Sequence, residues 1–214
     1  MARHYDSLDQ WLWECASNDD AKGVRAALKE GARISKPVPR SGVGDALEEA
    51  IWWGKENVVM TLLRAHPDPS FSTLIDAIRS EKLSDETVLK IAKHLSHLHD
   101  EKDKGRLPLH AAMLRQTPVV AQFLLTKERV KKKASAAFQG MNALELLLAR
   151  PDPLPKTWSP VVDVLVKLGL KVKTKTKINE KNRSFLGEQA ANTQAKQLDR
   201  KTPKAAAPSK QRRI

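Results

Sequence analysis

Few residues in this chain have both the type and the spacing that catalysis or cofactor binding requires. Residues 41–44 read Ser-Gly-Val-Gly, which lacks the third glycine of a dinucleotide fingerprint and the Gly-Lys-Ser/Thr end of a P-loop. The chain also contains no G-x-S-x-G, H-E-x-x-H or C-x-x-C motif. We therefore predict that the protein is not an enzyme, has no catalytic residue and takes no cofactor.

Histidine and cysteine are the remaining residue types that commonly bind metals or act as nucleophiles. His94, His97 and His99 crowd the end of one predicted helix, but a metal site also needs further ligands and supporting hydrogen bonds that the sequence does not identify. We therefore expect these histidines to be solvated in a loop, and we predict no metal site. Cys15 is the only cysteine, so one chain can form neither an intramolecular disulfide nor a cysteine-based metal site.

The positive charge of the chain is concentrated at its C-terminal end. The 214 residues have a formal net charge of +13, and residues 171–214 contain 13 Lys and Arg against three Asp and Glu. Residues 1–170 therefore carry only +3, which gives no reason to expect a DNA-binding face on them. Because residues 171–214 are otherwise rich in Thr, Asn, Gln and Ala, we expect a disordered basic tail, apart from a transient helix near Glu188–Leu198.

The rest of the chain has the composition of a helical domain with an internal repeat. Hydrophobic residues make up 41% of the sequence but aromatic residues only 5%, and a core of Leu, Val, Ala and Ile suits helices better than sheets. A leucine begins the apolar face of a helix five times, with separations of 35, 27, 35 and 35 residues, at Leu12, Leu47, Leu74, Leu109 and Leu144. These steps indicate a repeat of about 33 residues.

Each repeat contains two apolar stripes at helical spacing, as in Leu12, Cys15 and Ala16 followed by Val24, Ala27 and Leu28. Capping residues mark the helix ends: Asp45 with Glu48, Asn142 with Glu145, Ser84, Ser159, Gly31 and Gly169. The proline- and glycine-containing residues 35–44 form a loop or finger, and residues 97–104 an exposed loop. We predict one all-α domain, residues 1–170, of about five helix-turn-helix units, near residues 7–34, 45–66, 71–98, 105–128 and 140–170.

The fourth unit carries the clearest family motif. Leu107-Pro108-Leu109-His110-Ala111-Ala112 resembles the T-P-L-H-x-A motif of ankyrin repeats, with Leu107 in place of the usual Thr. The resemblance implies an ankyrin-type helical solenoid that acts as a scaffold for a partner protein bound in its concave groove. It also implies that His110 hydrogen-bonds between neighbouring repeats rather than acting in catalysis, and that Cys15 is a packed, inert thiol.

Trp52 and Trp53 depart most from an ordinary repeat. By the resemblance, they occupy the two positions that end a first helix and face the concave groove, where exposed aromatic residues are typical binding anchors. The alternative is that one or both pack against residues 35–44 or against unit one. The matching positions in the other units are Ser17, Asn18, Arg79, Ser80, Leu114 and Arg115. Together these residues predict a groove with an aromatic centre and a basic flank, suited to an acidic or mixed-charge partner.

The basic tail keeps several functions open. Clustered positive charge binds nucleic acid, anionic lipid or an import receptor, and it also serves simply to keep a protein soluble. The alternatives to a protein-interaction scaffold are therefore a nucleic-acid-associated factor that uses the tail, or a bacterial or viral ankyrin effector that acts on a host protein. The sequence does not identify the partner or the oligomeric state.

The first residues, MARHYDSLDQWLWECAS, are charged throughout and contain no continuous apolar run. We therefore predict neither a cleaved secretion signal nor a membrane span. A single cysteine is consistent with a reducing compartment, so we expect a cytoplasmic protein, with a nuclear location or secretion without a cleaved signal as alternatives.

Overall fold

A computed structural model describes residues 7–34, 44–65, 69–70, 72–173 and 178–201, the last ten of them by backbone alone. Twelve α-helices lie in these ranges, and the described residues form no β-strand: α1 Leu8–Ser17, α2 Ala21–Lys29, α3 Ala46–Trp53, α4 Glu56–Ala65, α5 Thr73–Arg79, α6 Asp85–His94, α7 Pro108–Arg115, α8 Pro118–Leu124, α9 Glu128–Lys133, α10 Ala143–Leu148, α11 Ser159–Lys167 and α12 Glu180–Lys201. Two short 3₁₀ helices occur at Ser96–Leu98 and Lys156–Trp158. The all-α prediction is confirmed.

The helices stack in sequential pairs. The first helices of the five units, α1, α3, α5, α7 and α10, contact one another in that order and form the first-helix row. The second helices, α2, α4, α6, α8 and α11, form a parallel second-helix row. Apolar side chains buried between the two rows form one continuous core, which includes all five leucines of the repeat. The predicted five-unit solenoid is therefore the observed architecture.

Three helices, α3, α6 and α10, begin at the capping residues that the sequence predicts. Asp45 and Asn142 accept the backbone N–H of Glu48 and Glu145, which in turn accept the N–H of the capping residue, so both capping boxes form. Ser84 also caps α6. The prediction for Ser159 is off by one residue, because α11 begins at Ser159 and its N-cap residue is Trp158.

Two tight turns precede units four and five. Asp103 pairs with Arg106, and Phe138 pairs with Met141, in isolated antiparallel bridges. The two residues inside each turn have positive φ, at Lys104 and Gly105 and at Gln139 and Gly140, as in the type I′ turns that connect hairpins. The chain therefore reaches each of these units through a short backbone hairpin.

The prediction that residues 97–104 are an exposed loop is wrong for its first part. Leu98 and His99 are buried, because the 3₁₀ turn at Ser96–Leu98 directs the chain back against α6. His99 Nε2 donates to the Ala92 carbonyl at 2.6 Å, and its ring meets the edge of Phe123. The predicted finger at residues 35–44 lies outside the described residues except for Gly44.

The domain continues beyond Leu170, where the sequence predicted the tail to begin. Helix α12 contacts α11, and Phe185 and Leu186 are half-buried against the core. Asn182 is fully buried: its Oδ1 accepts the Leu154 N–H at 2.8 Å, and its Nδ2 donates to backbone carbonyls of residues 148, 150 and 152. These bonds close the C-terminal end of the solenoid. Residues 202–214 lie outside the described residues.

Within the described ranges, no helix combines the length and the apolar composition needed to cross a membrane.

Candidate functional site

The eight predicted binding residues share one location in the fold. They lie at or just after the C-terminal ends of the first helices α1, α3, α5 and α7, and we call this edge of the first-helix row the binding edge. Two of them hydrogen-bond to a neighbouring unit, since Ser17 donates to Glu49 in α3 and Ser80 donates to the Ile51 carbonyl. The repeat, with steps of 35, 27 and 35 residues, therefore brings positions from four units onto one edge.

Trp52 and Trp53 are the largest exposed side chains on this edge. Trp52 is 61% exposed and Trp53 49% exposed, whereas Trp158 in unit five is only 1% exposed. Both belong to the last turn of α3, which ends at Gly54 in the left-handed conformation. Two adjacent indoles that remain this open place a large apolar surface in solvent, which is the usual feature of a protein-binding anchor.

The Trp53 indole is held in place by two neighbours. Its Nε1 donates to Glu49 Oε1 at 2.7 Å, and Ser17 Oγ of unit one donates to the same oxygen at 2.8 Å. Lys82 of unit three lies over the ring, with its Nζ 4.0 Å from the ring centroid. This ammonium is attracted to the negative face of the indole. Three successive units thus fix one exposed aromatic side chain.

Glu49 is the buried acid behind this arrangement. The residue is 3% exposed, and its second carboxylate oxygen, Oε2, makes no hydrogen bond. The side chain therefore serves mainly as an acceptor that aligns Ser17 and Trp53. Its position four residues before Trp53, on the same helical face, is a signal that sequence reasoning missed. The contribution of Lys82 depends on the packing of unit three against unit two and has no comparable signal.

Arg115 differs from its prediction as a partner-binding residue. Its side chain is only 11% exposed, and its guanidinium donates to the carbonyls of Ala77 at 3.2 Å and Ile78 at 3.0 Å and also to that of Leu83. These carbonyls belong to the end of α5 and the following loop, which an arginine can satisfy with its several donors. Arg115 therefore joins units three and four and is not a free surface residue.

The other predicted residues differ in accessibility. Asn18 and Arg79 are exposed, and Leu114 is 44% exposed. Ser17 and Ser80 are half-buried and use their hydroxyls within the domain, as donors to Glu49 and to the Ile51 carbonyl. The accessible part of the binding edge therefore contains the two tryptophans, Asn18, Arg79 and Leu114.

His110 is in a structural environment. It is fully buried, its Nδ1 accepts the Leu107 N–H at 3.3 Å, and its ring stacks on Phe138 from the turn before unit five. Burial lowers the pKa of His110 to about 4, because the protonated ring would lose its hydration. The imidazole is therefore neutral at physiological pH and helps to join unit four to the next hairpin.

Cys15 and the clustered histidines differ in burial. Cys15 is buried, and its thiol is not part of a disulfide. His94 is exposed and lies 3.0 Å from the Leu63 carbonyl, while His99 is buried, so the prediction that all three clustered histidines are solvated is wrong for His99. No group of three or more His, Cys, Asp or Glu among the described residues is arranged to hold a metal ion.

Comparison with solved structures identifies the fold. An ankyrin repeat domain from Acinetobacter baumannii AYE matches with a TM-score of 0.62 and 16% sequence identity, over 86% of this chain and 96% of that chain. The human ASB11 ankyrin repeat domain matches over 91% of this chain and 99% of that chain with 15% identity. Its TM-score is 0.42. No protein-family model and no curated protein matches the sequence. The predicted ankyrin repeat fold is thus confirmed.

Proposed function

We propose that this chain is a non-catalytic scaffold that binds a partner protein on the binding edge, with Trp52 and Trp53 at the centre of the contact. The supporting observation is the pair of indoles, 61% and 49% exposed, in a domain whose other three tryptophans are half-buried, at Trp11 and Trp13, or buried, at Trp158. By the resemblance to ankyrin repeats, we propose that this edge faces the concave groove, in which the sequence analysis expects a partner to bind.

The size of the indoles makes them suitable anchors. A partner that covers about half of one indole removes roughly 100 Å² of mostly apolar surface from water. At about 25 cal/mol per Å², this burial stabilises a complex by roughly 2.5 kcal/mol for each ring. Two such contacts supply much of the free energy that a micromolar complex requires, about 8 kcal/mol.

The local structure also reduces the entropic cost of binding at Trp53. Glu49 and Lys82 hold the ring before a partner arrives, so little rotamer freedom remains to be lost on association. Lys82 adds an exposed positive charge against the Trp53 ring, and the exposed Arg79 at the end of α5 lies 3.7 Å from Asp76 Oδ1. We therefore propose a partner whose contact surface combines apolar side chains with acidic or mixed charge.

Affinity capture tests this proposal. The full-length chain is compared with Trp52→Ala and with Val119→Ala, a matched control because Val119 is 48% exposed but lies on α8 of the second-helix row. We expect Trp52→Ala to reduce the recovery of the bound partner about tenfold or more, and Val119→Ala to leave it unchanged. Nuclease treatment of the lysate, followed by mass spectrometry, separates a protein partner from nucleic acid.

The thermal unfolding midpoint of both variants is measured alongside. Because Trp52 is largely in solvent, its loss is expected to change stability by no more than about 0.5 kcal/mol. Recovery of the same proteins in the same amounts with wild type and Trp52→Ala would contradict the proposal. So would a large fall in the midpoint of Trp52→Ala, since it would show that the indole is part of the core.

A further inference from the structure

A second surface feature lies on the other row of helices. A depression of about 720 Å³ runs across α2, α4 and α6 of units one to three. Four basic side chains line it, and we call it the cationic groove: Lys22, Arg25, Arg64 and Lys90. All four are exposed, and none of the residues that line the groove belongs to the binding edge.

Three of the four positive charges are not neutralised by the domain. Lys90 pairs with Glu86, with 2.8 Å between Nζ and Oε1. Within the described part of the chain, Lys22, Arg25 and Arg64 form no ion pair. Like charges gathered on one depression repel each other and create a positive potential that attracts an anionic ligand. The groove is thus electrostatically complementary to acidic groups.

The acidic residues of the groove are confined to its unit-one end. Asp20 caps α2, and its Oδ1 accepts the N–H of Lys22 at 3.1 Å and of Gly23 at 2.8 Å. Asp19 is exposed beside it, in a left-handed turn with φ of 59°. A ligand that carries negative charge along its whole length would meet both carboxylates at this end.

The floor of the groove is not purely polar. Met60 and Ala21 are half-buried in it and offer apolar surface. Thr61 Oγ1 donates to the Asn57 carbonyl, and the Asn57 side-chain amide is exposed beside it, available to a backbone group of a ligand. This mixture of an apolar floor, an amide and surrounding cations matches a polypeptide better than a phosphate chain.

We propose that the cationic groove binds a short acidic peptide segment of a partner protein. Adjacent helices in a row are about 9 Å apart, so a segment that crosses three second helices spans about 18 Å. At about 3.3 Å for each extended residue this is about six residues. Glutamate or aspartate side chains would meet Arg25, Arg64 and Lys22, while one apolar side chain would cover Met60.

A nucleic acid is the less favoured occupant. Its phosphates form a long, regular track of negative charge, whereas the unpaired cations here cover a short length and end at Asp19 and Asp20. The proposal concerns residues outside the binding edge, so it stands or falls independently of the role of Trp52.

Fluorescence anisotropy with the full-length chain at low ionic strength tests the proposal. The probe is a fluorescein-labelled hexapeptide, Glu-Glu-Leu-Glu-Ser-Gly, in which three glutamates match the three unpaired cations and two uncharged residues can lie beside Asp19 and Asp20. The groove variant is Arg25→Glu/Arg64→Glu, and the matched control is Arg129→Glu/Lys132→Glu, which reverses the same number of exposed charges on α9. We expect the groove variant to raise the Kd about tenfold or more and the control to change it less than about twofold.

Further measurements show whether the effect is specific to the cationic groove. Both variants must unfold at the same urea midpoint as wild type, within experimental error. Trp52→Ala is expected to bind the peptide as wild type does. Equal affinities in the groove and control variants would overturn the proposal, because the peptide would then be bound elsewhere, for instance by residues 202–214. A DNA duplex of about 20 base pairs that loses affinity selectively in the groove variant would overturn it in favour of nucleic acid.

Discussion

The two tryptophans that end α3 are adjacent in sequence but differ in how their side chains are held. Trp53 is bound through its indole N–H to Glu49 and lies under Lys82, whereas Trp52 is the more exposed of the two. A substitution of Trp53 therefore removes a hydrogen bond and a cation–π contact as well as the exposed surface. Trp52 separates binding from stability more cleanly, and for this reason it is the position used to test the proposed function.

His110 is one of the residues that contribute to the acid sensitivity of the domain. Its pKa is lowered to about 4 in the folded domain and is about 6.5 when unfolded. Between these values the unfolded chain binds more protons, so stability is complete above pH 6.5 and falls as the pH drops toward 4. We expect wild type to lose about 3 kcal/mol more than His110→Gln over this range, measured by urea unfolding at each pH.

The comparison with His110→Gln removes contributions that both proteins share, including the buried His99, whose pKa is also lowered by burial. Glutamine keeps an acceptor for the Leu107 N–H but does not titrate. Parallel stability curves for the two proteins between pH 6.5 and 4 would show that His110 is not desolvated as the structure places it.

At the scale of elements, the close approach of neighbouring units depends on their inter-helix turns. Gly54 ends α3 with φ of 70°, and a Cβ atom placed on it would lie 2.7 Å from the Lys82 carbonyl oxygen and 2.6 Å from Lys82 Cβ. The loop of unit three therefore rests directly on the turn of unit two. This contact also places the Lys82 ammonium over Trp53, so the turn helps to shape the binding edge.

A comparison of Gly54→Ala with Gly169→Ala separates the cost of a left-handed backbone from the cost of the steric clash with Lys82. Gly169 has a similar φ of 77° after α11, but a Cβ there would meet no atom within 4 Å. We expect Gly169→Ala to destabilise the domain by about 1–2 kcal/mol, the cost of a left-handed non-glycine residue. Gly54→Ala should cost about 1–3 kcal/mol more, because the Lys82 backbone must move. Equal urea midpoints for the two variants would contradict the packing of these loops.

At the scale of the whole molecule, the outer apolar face of the last repeat of a solenoid must be covered by other residues. The apolar faces of interior units are buried by their neighbours, whereas unit five has a neighbour on one side only. The chain covers this end with residues 171–173 and with α12: Asn142 Nδ2 donates to the Lys171 carbonyl at 3.0 Å, and Asn182 bonds to the loop between α10 and α11.

Asn182→Ala tests this cover. Its removal leaves the Leu154 N–H and several carbonyls without their buried partner, which is expected to destabilise the domain by about 2–3 kcal/mol. Arg183→Ala is the control, since the neighbouring Arg183 is exposed and should change stability by less than about 0.5 kcal/mol. Unfolding in urea, followed by circular dichroism, measures both. An Asn182→Ala variant as stable as wild type would show that α12 does not stabilise unit five.

Features encoded by neighbouring residues could be predicted from the sequence. The leucine spacing indicated five units, and the capping residues Asp45 and Asn142 marked the starts of α3 and α10, because each signal lies within a few residues of the helix it describes. The resemblance to ankyrin repeats implied that Trp52 and Trp53 end a first helix, and the structure places them there.

Features that depend on contacts between units could not be predicted in this way. Arg115 was placed on a free surface because its bonds reach carbonyls 32 to 38 residues earlier. Residues 171–214 were assigned to a tail because their polar composition is typical of disorder. The start of α12 is held on the domain by one buried asparagine, Asn182, which hydrogen-bonds to backbone groups. A single buried polar residue leaves no periodic apolar pattern in the sequence.

Oxidative footprinting of the captured complex tests the central claim most directly. Solvent exposure makes Trp52 and Trp53 readily oxidised in the free protein, and cleavage after Arg40 and Lys55 releases them in one peptide, while Trp158 is buried and serves as an internal control. We expect oxidation of this peptide to fall about fivefold or more when the partner is bound, because bound protein surface excludes water from an interface core. Oxidation of Trp52 and Trp53 to the same extent in the free protein and in the complex would contradict binding at this edge.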